Sequence, residues 1–79
     1  LKNLFRIIQD ISENYAFERP TQEVIEKLKT EMENTLQKYY KDLPNDDYIV
    51  INSNDGITNI EISQKLIEYM KIYYPEALI

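Results

Sequence analysis

Three prolines and a single glycine are the only strong backbone punctuation in this chain, and they fall at positions 20, 44, 75 and 56. Proline fixes φ, lacks an N–H donor and disfavours helical geometry in the residue before it. Glycine enters a positive-φ turn without steric cost. With so few interruptions, 79 residues divide into a handful of elements and one small domain, spanning 1–79.

Before Pro20, residues 1–15 read as a helix. Leu1, Leu4, Phe5, Ile8, Ile11 and Tyr15 repeat at helical spacing, and Ile7 lies off that stripe. Between Pro20 and Pro44, residues 21–41 read as a longer helix. Thr21 is its expected N-cap, Glu23 complements the positive end of its dipole, and Lys38 and Lys41 suit the other end. Its buried stripe is Val24, Ile25, Leu28, Met32, Leu36 and Tyr39. Glu23–Lys27, Lys27–Glu31 and Lys29–Glu33 are spaced to pair along the outer face, each worth about 0.2–0.5 kcal/mol.

After Pro44, Asp47-Tyr48-Ile49-Val50-Ile51-Asn52 reads as a strand, and Ser53-Asn54-Asp55-Gly56 as a hairpin turn. Residues 57–62 are open to two readings. Ile60 and Ile62 alternate as a returning strand would, whereas Thr58 and Glu61 have the spacing of a capping box that opens a helix at Asn59. The strand is preferred, because the turn otherwise goes unexplained. A helix then runs from an N-cap at Ser63 to about Tyr73, and Pro75 ends it before an apolar tail. The expected fold is α+β: two antiparallel helices packed on a β-hairpin, with a short C-terminal helix. The expected core is Leu4, Phe5, Ile8, Ile11, Val24, Leu28, Met32, Leu36, Ile49, Ile51, Ile60 and Leu66.

Composition narrows the chemistry. There is no Cys and no His, which removes disulfides, thiol chemistry, zinc fingers and imidazole bases. Asp46, Asp47, Asp55 and Glu61 surround the hairpin and are oxygen ligands of the kind that hold a hard cation, but the calcium-loop spacing fails. Placing Gly56 at its sixth position puts Ile51 first and Ile62 last, where carboxylates are required. Metal and cofactor are therefore not expected, and with little room for a cleft neither is an enzyme. There is no run of about 18 apolar residues, so no membrane span is expected. The opening residues do not read as a secretory signal, since Asp10 and Glu13 interrupt them. Lacking an initiator Met, the chain reads as a processed product or a piece of something larger. Localisation stays open between cytoplasm and virion.

The formal charge of −5 sits wholly on residues 42–79, residues 1–41 being balanced. Such a surface repels phosphate, so direct nucleic-acid binding is not expected. It reads either as an ordinary solvated face, or as an acidic face that docks on or mimics nucleic acid for a basic partner. Gly56–Leu66 is similar to the opening of a helix-turn-helix. The following Ile67-Glu68-Tyr69-Met70 lacks its second turn and basic recognition helix, so the similarity carries no DNA reading.

Seven tyrosines remain to be explained. Tyrosine and methionine combine apolar area with a polar or polarisable group and are enriched at interfaces. The adjacent pairs 39–40 and 73–74 cannot both face one small core. Either they mark an interface, or Tyr39 and Tyr73 edge the core while the rest are scattered exposure. Residues 69–79 crowd Tyr69, Met70, Ile72, Tyr73, Tyr74, Leu78 and Ile79 together, more than one helix face can bury. Partner contacts are accordingly expected at Tyr69, Ile72, Tyr73, Tyr74, Leu78 and Ile79, with Tyr48 and Tyr40. A chain this short buries only about 60% of its unfolded surface, which also argues for protein partners, a homo-oligomer or a larger assembly. The competing reading folds Leu78 and Ile79 back over the first helix.

The order of features resembles the C-terminal domain of contractile tail sheath proteins of phages and related injection machines. The likeness runs through Tyr15-Ala16-Phe17-Glu18-Arg19-Pro20, where the family often shows Phe-Glu-Pro-like residues. It continues through a helix with Glu31, Asn34 and Leu36, the strand Asp47-Tyr48-Ile49-Val50-Ile51, the strand Asn59-Ile60-Glu61-Ile62 and the closing Tyr74-Pro75-Glu76-Ala77-Leu78-Ile79. The chain departs at Asn52–Gly56, where the family has a Cys-Asp-Glu-Asn-Asn-like segment, and at 63–73, where the family would run as strand. A phage-baseplate wedge family shares part of the pattern. The resemblance implies a structural packing unit around a tail tube, joined to neighbours by strand exchange.

Overall fold

The structure is a computed structural model that describes residues 3–43, 48–55 and 57–79. Helix α1 (Leu4–Glu13) and helix α2 (Gln22–Tyr39) pack on an antiparallel hairpin of β1 (Ile49–Asn54) and β2 (Ile57–Ile62). A short helix α3 (Gln64–Tyr73) and a 3-10 turn (Pro75–Leu78) complete an α+β fold.

Asn3 starts α1 by accepting hydrogen bonds from the N–H groups of Phe5 and Arg6 at 2.9 and 3.3 Å. The buried face is Leu4, Ile7, Ile8 and Ile11. Here the expected stripe is corrected on one flank, since Ile7 is buried and Phe5 is 48% exposed. Both flank the expected Leu1–Leu4–Ile8–Ile11–Tyr15 stripe by similar angles, so periodicity over that stripe does not rank them. The helix also stops at Glu13, two residues earlier than expected, and Tyr15 belongs to the turn that follows.

Thr21 caps α2 by accepting from the Val24 N–H at 3.3 Å. Leu28, Met32 and Leu36 are buried, and the row ends on Tyr40 rather than Tyr39. Tyr40 is the helix's C-terminal cap, with φ −124° and ψ 83°, and its N–H still donates to Leu36 O at 2.8 Å. Four residues on from Leu36, it continues the buried row. Tyr39 is left 40% exposed. Val24 is half-buried.

β1 is two residues displaced from the expected strand. Asp46 and Asp47 lie outside the described residues, as do Pro44 and Gly56. β2 and α3 keep the expected bounds. The register pairs Ile49 with Ile62, Ile51 with Ile60 and Asn54 with Ile57. The last pair leaves a two-residue loop, whose Asp55 has φ 53°. Two-residue hairpin loops need positive φ, because only that twist matches the strands. Ile49 is buried, Ile51 and Ile60 are half-buried, and the side chains beyond them toward the tip are exposed, so the hairpin is rooted at one end only. Ser63 ends the ladder by donating its N–H to Tyr48 O at 2.7 Å, and starts α3 by accepting from the Leu66 N–H at 3.2 Å. That dual use places the strand-to-helix switch at this serine. Leu66 and Met70 bury α3 against the core. Ala77 is fully buried, and Ile79 O accepts a hydrogen bond from the Asn3 side chain, which ties the tail to the start of α1.

Candidate interaction surface

Helix α3 buries Leu66 and Met70, and this orientation fixes what its other faces show. Residues three and four apart share a flank. Tyr69, Ile72 and Tyr73 therefore form one contiguous strip beside the buried face. Ile72 is 71% exposed and Tyr73 63%, while Tyr69 is half-buried. The Tyr69 and Tyr73 rings stand 4.6 Å apart, and Tyr69 lies 6.4 Å from Tyr74. Tyr74 in turn meets the buried Tyr40 at 5.0 Å. Four tyrosines thus run from core to solvent at the C-terminal ends of α2 and α3.

The Tyr69 hydroxyl donates to Asp42 O at 2.7 Å, which secures the strip to the segment after α2. Burial, then Tyr74 and Asp42, raise the Tyr69 pKa above its ordinary 10.0. Burial, then Tyr39 and Tyr74, raise that of Tyr40. Both phenols stay protonated and available as donors at neutral pH. No group of three or more Asp and Glu side chains is placed to hold a metal ion among the described residues. No helix among them is long and apolar enough to cross a membrane.

The expected contact residues separate into three sets. Tyr69, Ile72 and Tyr73 come together on α3. Tyr40 and Tyr48 are buried, so they support the strip from beneath and offer no surface of their own. Tyr74 and Leu78 are half-buried against the core, and Ile79 is 94% exposed beside the α1 cap. The tail thus folds back on the first helix through Ala77 and the Asn3 hydrogen bond, while leaving Ile79 in water.

Several exposed apolar side chains escaped the sequence reading. Val50 and Ile57 lie on the outer face of the hairpin, opposite in parity to the four inner isoleucines. Strand alternation was the signal that could have found them. Phe17 is fully exposed in the turn after α1. Nor is the chain without clefts. One of about 300 Å³ lies between that turn, α2 and β2, and a broad open depression runs along α2 beside Tyr15 and Glu31. Glu31 shares that depression with Tyr15, and the Lys27 ammonium lies 3.5 Å from Glu23. Burial, with Glu31 next, raises the Tyr15 pKa.

Comparison of the chain with family models, curated proteins and solved structures returned no match in any of the three.

Proposed function

We propose that this chain is a non-enzymatic protein-interaction module that works by assembly, with a sheath-like component of a contractile tail as its sharpest form. The observation that carries the reading is the Tyr69–Ile72–Tyr73 strip, half-buried at Tyr69 and exposed at Ile72 and Tyr73. Contiguous apolar surface of this kind marks contact sites, and tyrosine is among the residues enriched in them. Glu68, Lys71 and Glu76 supply a polar rim. The described sheet has only two strands, so each keeps one edge free of strand pairing. Such an edge suits strand addition by a neighbour, whatever assembly that neighbour belongs to.

Sedimentation velocity of the chain over a wide concentration range tests this. Association should grow with concentration, persist in high salt, and weaken at least about tenfold in Ile72→Glu while the circular dichroism spectrum and Tm are retained. Association indifferent to Ile72→Glu would overturn the α3 strip as the contact. The competing reading, an acidic inhibitor that mimics nucleic acid, predicts instead a complex with a basic partner that weakens steeply as salt rises.

A further inference from the structure

We infer that the outer edge of β2 pairs antiparallel with β2 of a second copy of this chain, centred on Ile60, so that two hairpins join in one four-stranded sheet. The inference rests on the free sheet edge of the proposed function and deepens it by naming the edge, the occupant and the register. It makes no use of the α3 strip.

The ladder shows which backbone groups are left over. The Ser63 N–H donates to Tyr48 O at 2.7 Å, so positions 48 and 63 form a hydrogen-bonded pair. Bonded and non-bonded pairs alternate along an antiparallel ladder. Val50–Glu61, Asn52–Asn59 and Asn54–Ile57 are then bonded pairs, while Ile49–Ile62, Ile51–Ile60 and Ser53–Thr58 are not. The N–H and C=O groups of Thr58, Ile60 and Ile62 therefore point away from β1, and no other backbone bond among the described residues uses them. Helix α2 packs on β1, whereas β2 packs chiefly on β1, which makes β2 the outermost strand. Edge strands are normally shielded by proline, lysine or a bulge. Ile57–Ile62 contains no proline, lysine or arginine, and its register runs unbroken. Ile60 and Ile62, on its inner face, are only half-buried.

An extended backbone is what fits such an edge, because only a strand presents donors and acceptors at the same two-residue repeat. Each further copy of the chain brings one, the same β2 with the same unpaired groups. Antiparallel pairing of two identical strands is two-fold by construction, residue i meeting j and j meeting i. The outward residues and the charge then select the register. Setting Ile60 opposite Ile60 of the second copy, and Thr58 opposite its Ile62, uses all three outward residues on both sides. It places Glu61 opposite Asn59 of the second copy. A slip of two residues in either direction leaves one outward residue of each copy unpaired. In one of the two directions it also sets Glu61 against Glu61, and like charges directly opposite destabilise a pair of strands. In the selected register Ile60 packs on its counterpart and Thr58 on Ile62, which covers the two half-buried isoleucines.

Sedimentation equilibrium of the full chain in an Ile72→Glu background tests this contact separately from the α3 strip. A reversible dimer is expected there. Thr58→Pro removes an outward N–H and leaves the β1–β2 bonds in place, so it should raise the dissociation constant at least about tenfold while the Tm of the dilute chain is retained. Disulfide formation reads the register, since the chain has no cysteine of its own. Asn59→Cys chains mixed with Glu61→Cys chains should form the mixed disulfide at least about tenfold faster than either chain forms one with itself, because only the mixed pair stands directly opposite. A monomer at every concentration in the Ile72→Glu background would overturn the pairing and leave the α3 strip standing as the contact. A dimer indifferent to Thr58→Pro, or self-disulfides as fast as the mixed one, would overturn it as well. Should Thr58→Pro lower the dilute-chain Tm, the disulfide rates decide, since neither cysteine alters the backbone.

Discussion

Tyr39 and Tyr40 are adjacent and chemically identical, yet one is 40% exposed and the other fully buried. The difference arises where α2 ends, because the backbone at Tyr40 leaves helical angles while its N–H stays bound to Leu36 O. Burial makes the Tyr40 phenolate costly, so its folded pKa lies above the ordinary 10.0. A raised folded value means stability that is complete below pH 10 and is lost as pH climbs through the folded pKa. Thermal melts should accordingly fall in the alkaline range above about pH 10, and Tyr40→Phe should flatten that fall, read by circular dichroism. At neutral pH the larger costs lie in the aliphatic row. Leu28→Ala should lose about 2–5 kcal/mol in urea unfolding, as buried Leu→Ala changes do. Ile7→Ala should cost more than Phe5→Ala, since Ile7 is 3% exposed and Phe5 48%. The expected stripe takes Phe5 and leaves Ile7 off, a choice periodicity does not make, because a helix stripe has two flanks and only packing says which one meets a neighbour.

The elements hang on a few capping side chains. Thr21 and Ser63 each accept one N–H of the helix they open, at 3.3 and 3.2 Å. Replacing either with Ala should cost about 0.5–2 kcal/mol. Ser63 is the more telling site, because its N–H also closes the hairpin onto Tyr48 O. The backbone bond survives Ser63→Ala, so amide exchange should quicken in the first turn of α3 while the Ser63 amide itself keeps its protection. Asp55, at φ 53°, is the other sensitive position. Asp55→Val should destabilise the hairpin by about 1–2 kcal/mol, the cost of a left-handed conformation that a β-branched side chain tolerates worse than aspartate. These features were legible beforehand, since serine, threonine and aspartate at such places act through bonds within a few residues of themselves.

For the whole molecule, the tail and the exposed surfaces matter most. Ala77 is buried, and the Asn3 side chain bonds Ile79 O, so five residues after Tyr74 help to close the core over α1. Ending the chain at Tyr74 should lower Tm, by roughly 4–8 °C for each kcal/mol lost in a domain this size. It should leave association through the α3 strip intact, since Tyr69, Ile72 and Tyr73 all precede the cut. Sedimentation and melting of the same truncated chain separate the two effects.

The amino-acid order alone determined most of the element sequence: the caps at Thr21 and Ser63, the hairpin turn and the α+β class, whereas 57–62 was open to strand or helix until the pairing with β1 decided it. Those are local or periodic properties, set by hydrogen bonds and side-chain directions within one or two turns of chain. The fate of each tyrosine, the choice of Ile7 over Phe5, and the burial of Tyr40 and Tyr48 were decided only in the tertiary structure. So was the cleft beside Phe17, which needs α1, α2 and β2 together. Burial depends on which flank meets another element and where a helix unwinds. Such contacts are made by residues distant in sequence, and no short window of the chain contains both partners.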